Sequence, residues 1–199
     1  LPIRSIVTIG TPVDYSQNPS IAPLRMLGSI APVPVVGAAV RAVGGIPSSI
    51  VRLSYRSTAP GREITRPWFI ARNLTNTDAL AQMESIDRFM ARMPGYPARF
   101  YTQMHKHLIM DNRLARGSVR FGGRKITLAD LSVPVLAVAG TDDVLAPAAS
   151  VEPTPDLLLG SPSARVVTVP GSHLGIVAGR RAAEQTWPVI DRFHAELDA

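Results

Sequence analysis

Two neighbouring runs decide the fold: VPVLAVAGTDDVLAP at residues 133–147 and ARVVTVPGSHLGIV at residues 164–177. Each opens on a short β-branched apolar segment, Val133–Ala139 and Arg165–Val169, and each closes on Gly-rich polar chemistry. Apolar runs of this length between turn signals read as strands buried on both faces, the habit of a parallel sheet covered by helices. The first ends in Gly140-Thr141-Asp142-Asp143 and the second in Gly171-Ser172-His173. Ligands of open α/β sheets bind just beyond the carboxyl ends of the strands. An acid and a histidine, each one turn past its own strand, are therefore expected to meet there. In nucleophilic acyl chemistry a carboxylate orients an imidazole, which takes a proton from the nucleophile. Asp143 and Asp142 compete for the part of the acid at this point, and His173 is the expected general base.

The 199 residues suffice for one domain with a sizeable core, and 46% hydrophobic with 18% charged residues excludes a disordered chain. The charge of +6 and pI near 10.5 come almost wholly from arginine, since Lys106 and Lys125 are the only lysines. The arginines are scattered and lack the clustering of a nucleic-acid footprint. With no cysteine, the chain holds no disulfide, thiolate metal site or Cys nucleophile. No phosphate loop, dinucleotide fingerprint or metal-ligand cluster occurs, so neither a cofactor nor a metal is expected. The opening Leu1-Pro2-Ile3-Arg4 lacks the pattern of a signal peptide, and a cytoplasmic location is expected.

Upstream, Ile3–Ile9 reads as a strand ended by Gly10-Thr11-Pro12. Residues 16–126 then leave the strand rhythm. Met26–Ile46 is apolar but broken by Pro32, Pro34 and Arg41, too interrupted for a membrane span of about twenty residues. It is expected to pack as a cap over the core, the alternative being a lid that meets lipid or polymer. Thr75–Asp78 caps a helix with Leu80, Met83, Ile86 and Met90 on one face. A second helix is expected from about Pro97 to Leu114, with Phe100, Met104, His107 or Leu108, and Leu114 inward. Ser118–Thr127 has the hairpin pattern around Gly122-Gly123. The C-terminal segment is expected to turn Ala183, Trp187, Ile190, Phe193 and Leu197 toward the core, with Pro188 starting or kinking the helix. His105 and His107 fall on opposite sides of their helix, against a shared metal, and His194 belongs to the exposed terminal helix. Asp14 either lines the pocket mouth or ends its strand.

Gly140-x-x-Asp143-x-Leu145-x-Pro147 with Gly-x-His173 resembles the acid and histidine segments of the α/β-hydrolase fold, whose triad runs nucleophile, acid, histidine. A closer resemblance is to polyhydroxyalkanoate (PHA) synthases and their relatives. It extends through Met83-Glu84, Phe100-Tyr101, Asn112-Arg113-Leu114, Gly117, Gly122-Gly123 and Leu128, and upstream through Pro12-Val13-Asp14-Tyr15 and Gly45-Ile46-Pro47. Val144 and Ala148 depart from it, where the synthases usually carry His and an aromatic residue. The resemblance implies the C-terminal half of an α/β-hydrolase fold, with residues 1–15 and 127–199 forming the core and 16–126 a mostly helical cap insertion. No G-x-S-x-G elbow is present, so the nucleophile and the oxyanion donors are expected from a missing N-terminal half or a partner chain. The expected substrate is an acyl ester or acyl-CoA. Because both departures flank the acid, hydrolysis leads, with PHA synthesis from 3-hydroxyacyl-CoA second and a non-catalytic partner subunit third.

Overall fold

The computed structural model describes residues 2–22, 25–26, 33–57, 60–179 and 181–198. In chain order the strands are β1 (Ile6–Ile9), β2 (Gly45–Ile46), β3 (Tyr96–Pro97), β4 (Ser118–Phe121), β5 (Arg124–Thr127), β6 (Val135–Gly140) and β7 (Ala164–Val169). The helices used below are α1 (Val33–Ala42), α2 (Ser48–Ser57), α3 (Pro60–Arg72), α4 (Thr77–Ala91), α5 (Ala98–Met104), α6 (Ala148–Val151), α7 (Thr154–Leu157), α8 (Gly175–Ala178), α9 (Ala182–Gln185) and α10 (Trp187–Asp198). The chain divides into two compact units, residues 1–30 with 105–199, and residues 31–104. The first unit takes in residues 16–30 and 105–126, which the sequence reading counts with the insertion.

The first unit is built on a parallel sheet of order β1-β6-β7, an α/β arrangement flanked by helices. Every residue of β6 is buried, as its unbroken apolar run predicts for a central strand covered on both faces. Alternation splits its side chains between two cores. Leu136 and Val138 pack with Val169, Ile176, Ile190 and Phe193, beneath the C-terminal helix. Ala137 and Ala139 pack with Ala146 and Val151 on the other face. Small side chains there let the loop after β6 lie close against its own strand, where Gly140 and Pro147 bridge. Arg165 lies over the Phe193 ring at 5.3 Å and meets Glu196 at 2.7 Å, tying β7 to α10.

The periodic reading of the C-terminus holds for Ile190 and Phe193 but not for Ala183, which is exposed, or for Trp187, which is 42% exposed. The helix breaks at Thr186, since Pro188 has no N–H to continue the ladder from α9, and the break turns Ala182 and Thr186 inward instead. The expected helix from Pro97 to Leu114 also changes character. After α5 it widens into a π-helix at His105–Met110, continued by Asp111 N–H donating to the Lys106 carbonyl five residues back. The extra residue per turn shifts the buried face to His105 and Ile109, and Phe100 is 51% exposed.

In the second unit Asn76 caps α4 through the Ala79 N–H, as expected, and Arg66 of α3 pairs with Asp87 of α4. Gly45 and Ile46 pair with Pro97 and Tyr96. Part of the Met26–Ile46 stretch, residues 27–32, lies outside the described residues; the rest forms α1 and β2. Among the described residues no helix is long and apolar enough to cross a membrane.

Truncating Leu136 to Ala should cost about 2–5 kcal/mol, because the central strand cannot collapse into the space left, and a urea titration reads this as a lowered midpoint. Burial holds the His105 imidazole below its ordinary value. The folded chain thus favours the neutral ring. Its contribution is complete above the unfolded value near ~6.5 and is lost as pH falls through the window beneath it. The urea midpoint should therefore drop on acidification through that window, and His105→Gln should remove that part of the drop.

Candidate active site

The three strands of the parallel sheet deliver one element each to a single point. β6 delivers Asp143, β7 delivers His173, and β1 delivers Gly10. Parallel register sets this convergence: Ile9 lies opposite Val138, and Gly140 opposite Val169. The turns continue the ladder, with Gly10 N–H donating to the Val138 carbonyl at 2.8 Å and Thr141 N–H to the Val169 carbonyl at 3.0 Å. Asp142 N–H reaches the Gly171 carbonyl at 3.1 Å, which stitches the acid turn to the histidine turn.

Asp143 Oδ2 lies 2.8 Å from His173 Nδ1. Its other oxygen accepts from Leu145 N–H at 2.9 Å and Ala146 N–H at 2.7 Å, the pattern of an acid that also caps the turn after its strand. One carboxylate thus serves the imidazole and its own turn at once. Its side chain is fully buried, whereas that of His173 is one-third exposed. A carboxylate only accepts, so Nδ1 carries the proton and Nε2 is the ring nitrogen left without a partner among the described residues. Among the described residues the bond to Asp143 is the only hydrogen bond of that imidazole. Asp142 is exposed and bonded to its neighbour Thr141, away from His173.

Gly10 is a part of the site that strand and motif reading missed. Its φ is +57°, and a Cβ there would lie 3.1 Å from His173 Nδ1 and 3.2 Å from Asp143 Oδ2. Glycine therefore serves both a left-handed turn and an unobstructed approach of backbone to the pair. The signal was present as Gly10-Thr11-Pro12 directly after a strand, in parallel with Gly140 and Gly171.

The other sequence candidates fall elsewhere. Asp14 lies past β1, where its carboxylate accepts from Ser16 N–H at 2.8 Å and Asn112 Nδ2 at 2.7 Å. Burial works to raise its pKa, and the hydrogen bonds from Ser16, Asn112 and Gln17 outweigh it and hold the carboxyl below the ordinary value. His105 is buried in the π-helix, His107 packs edge-on to Phe121 at 6.1 Å, and His194 is exposed on α10.

Replacing Gly10 by Ala should cost about 1–2 kcal/mol for the left-handed backbone and push the imidazole off its carboxylate. A crystal structure of G10A with the Asp143–His173 distance unchanged would contradict that account.

No family model matches the chain. Its sequence is 24% identical over 198 residues to the poly(3-hydroxyalkanoate) polymerase subunit PhaC of Allochromatium vinosum, covering 96% of this chain and 52% of that protein. It is 23% identical to the PhaC subunit of Synechocystis, covering 98% of this chain and 52% of that one. Among solved structures, a hydrolase from Pseudomonas aeruginosa superposes with a TM-score of 0.46 at 20% identity, covering 92% of this chain and 53% of the other. The resemblance read from the motifs is thus met in the sequence as a whole: the chain is similar to PhaC polymerase subunits along nearly its full length and spans about half of theirs.

Proposed function

We propose that this chain carries the acid and base of an enzyme that transfers acyl groups at an ester or thioester. The observation that carries the reading is the 2.8 Å contact between buried Asp143 and the Nδ1 of partly exposed His173, at the carboxyl ends of adjacent parallel strands. Asp143 holds the ring in the tautomer that leaves Nε2 free, and it stabilises the imidazolium formed when Nε2 takes a proton. The proton comes from a hydroxyl or thiol carried outside these residues, since no G-x-S-x-G elbow lies within them. That nucleophile attacks the acyl carbon, and His173 returns the proton to the leaving alcohol or thiol. Donors to the tetrahedral oxyanion come from the same outside segment, because in this type of fold they follow the nucleophile and an earlier strand.

Water as the acyl acceptor is the first reading. Val144, beside the acid, is an exposed apolar residue, and Ala148 opens α6 with a methyl group, so the two positions add no proton carrier and no aromatic wall next to the pair. Growth of a polyester from 3-hydroxyacyl-CoA is the second, favoured by the sequence likeness to PhaC polymerase subunits.

In the enzyme assembled with its nucleophile, His173→Ala should abolish nearly all acyl transfer, because a hydroxyl or thiol attacks poorly without a base. Asp143→Asn should cut turnover by about 10²–10⁴-fold, and Asp142→Asn should leave it close to wild type. The assay follows free acid and polymer from a simple ester and from 3-hydroxybutyryl-CoA. Free acid without polymer supports hydrolysis, polymer supports the synthase reading, and an Asp143→Asn enzyme at full speed removes the acid from the mechanism.

A further inference from the structure

We propose that Asp14 and Asn112 form a positioning pair that keeps the acid loop in the geometry His173 requires, an inference that rests on the catalytic reading of Asp143 and His173. The two residues are 98 apart in sequence, and the Asn112 amide binds the turn after β1 through both of its ends. Asn112 Nδ2 donates to Asp14 Oδ1 at 2.7 Å, and Tyr15 N–H donates to Asn112 Oδ1 at 2.9 Å. Asp14 Oδ1 also takes the backbone N–H and the hydroxyl of Ser16. One carboxylate thus organises the turn after β1 and fastens it to the segment that leaves the π-helix.

That turn is in contact with the acid loop at two places. Val13 N–H and Asp14 N–H both donate to the Ser150 carbonyl, at 2.8 and 3.0 Å. Asn18, buried, donates through Nδ2 to the Leu145 carbonyl at 2.6 Å. Leu145 N–H is itself one of the two backbone donors to Asp143 Oδ1. A continuous run of bonds therefore leads from Asn112 through residues 13–18 to the carboxylate that faces His173. No member of the run beyond Asp143 touches the imidazole, so Asp14 and Asn112 act through other groups.

Two further features single out Asn112. Its φ of +46° makes it the one non-glycine residue in the left-handed region among the described residues. Asparagine tolerates that region better than most residues, at a cost glycine would not bear. A π-helix ends two residues before it, and such widened turns recur at functional sites. Glycine would suit the backbone better, yet the position holds the side chain that makes both bonds.

The test separates positioning from ordinary stapling. In the 15N-labelled 199-residue chain, the Nδ1 proton of His173 is identified by its loss in His173→Gln. Its exchange with water is then compared, well below the melting transition, between wild type, Asn112→Gly and Asp14→Asn. Asn112→Gly accepts the backbone angle and deletes both side-chain bonds; Asp14→Asn is isosteric and keeps the test decisive should the first variant fold poorly. Exchange of that proton should quicken about tenfold in either, the effect of losing one or two hydrogen bonds from the support. In the enzyme assembled with its nucleophile, Asn112→Gly should lower kcat about 10²-fold, as a small misplacement of a catalytic group does, with KM unchanged. A staple without positioning role would lower the melting temperature and leave the proton as in wild type, and that result overturns the proposal. The two readings fail separately. Full activity in Asp143→Asn defeats the catalytic assignment alone, and an unchanged His173 proton in the folded variants defeats the positioning pair alone.

Discussion

Parallel pairing of β6 on both of its edges is the constraint from which the site follows. A parallel ladder fixes register without a tight turn, so the ends of three strands that are distant in sequence arrive at one level. Gly10, Asp143 and His173 owe their meeting to that level and to the short turns that follow each strand. A shift of one residue in either pairing would exchange the faces of β6. Leu136 and Val138 would then leave the core under α10, and the alanines that admit the acid loop would be replaced by bulk. Register, core packing and the position of the carboxylate are one requirement seen at three scales.

The strands that build this sheet could be read from sequence because their signal is local. An apolar β-branched run between glycines has few interpretations, and β6, β7 and the hairpin β4–β5 lie where their patterns predict. Asp143 and His173 could be paired because each follows its own strand by about one turn. The choice between Asp142 and Asp143 needed more than spacing. In sequence the motif likeness favours Asp143, and in the structure the turn that folds Leu145 N–H and Ala146 N–H back onto its carboxylate accounts for that choice.

What escaped the reading was non-local. The π-helix at 105–110 carries no composition signal, and it moved the buried face by one position, to His105 and Ile109. Trp187 was placed inward by a period that assumes an unbroken helix, and the break at Thr186 removes the assumption. Gly10 reads as an ordinary turn residue, and Asn112 as part of the helix expected from Pro97 to Leu114, until their neighbours are known. The first is a glycine because an imidazole and a carboxylate occupy the space where a Cβ would sit. The second is an asparagine because a segment nearly a hundred residues away presents it with a donor and an acceptor.

Burial of the acid explains why so much structure is spent on one loop. A carboxylate withdrawn from water is tolerated when its oxygens are satisfied, and removing one partner leaves charge without compensation. Asp143 is supplied by two backbone N–H groups on one oxygen and by an imidazole on the other. The backbone donors are held only as long as the loop keeps its turn, and the imidazole is the single partner that reaches solvent. In the proposed acyl transfer, rigidity on the Oδ1 side lets the Oδ2 side face a group that must change charge. A proton arriving at Nε2 strengthens the bond to Asp143 without requiring the loop to move, because the donors that fix the carboxylate are already in place. Under the proposed mechanism, preorganisation of this kind places the reorganisation cost in folding instead of in each proton transfer, and the proposed positioning pair would make the turn after β1 part of the same device.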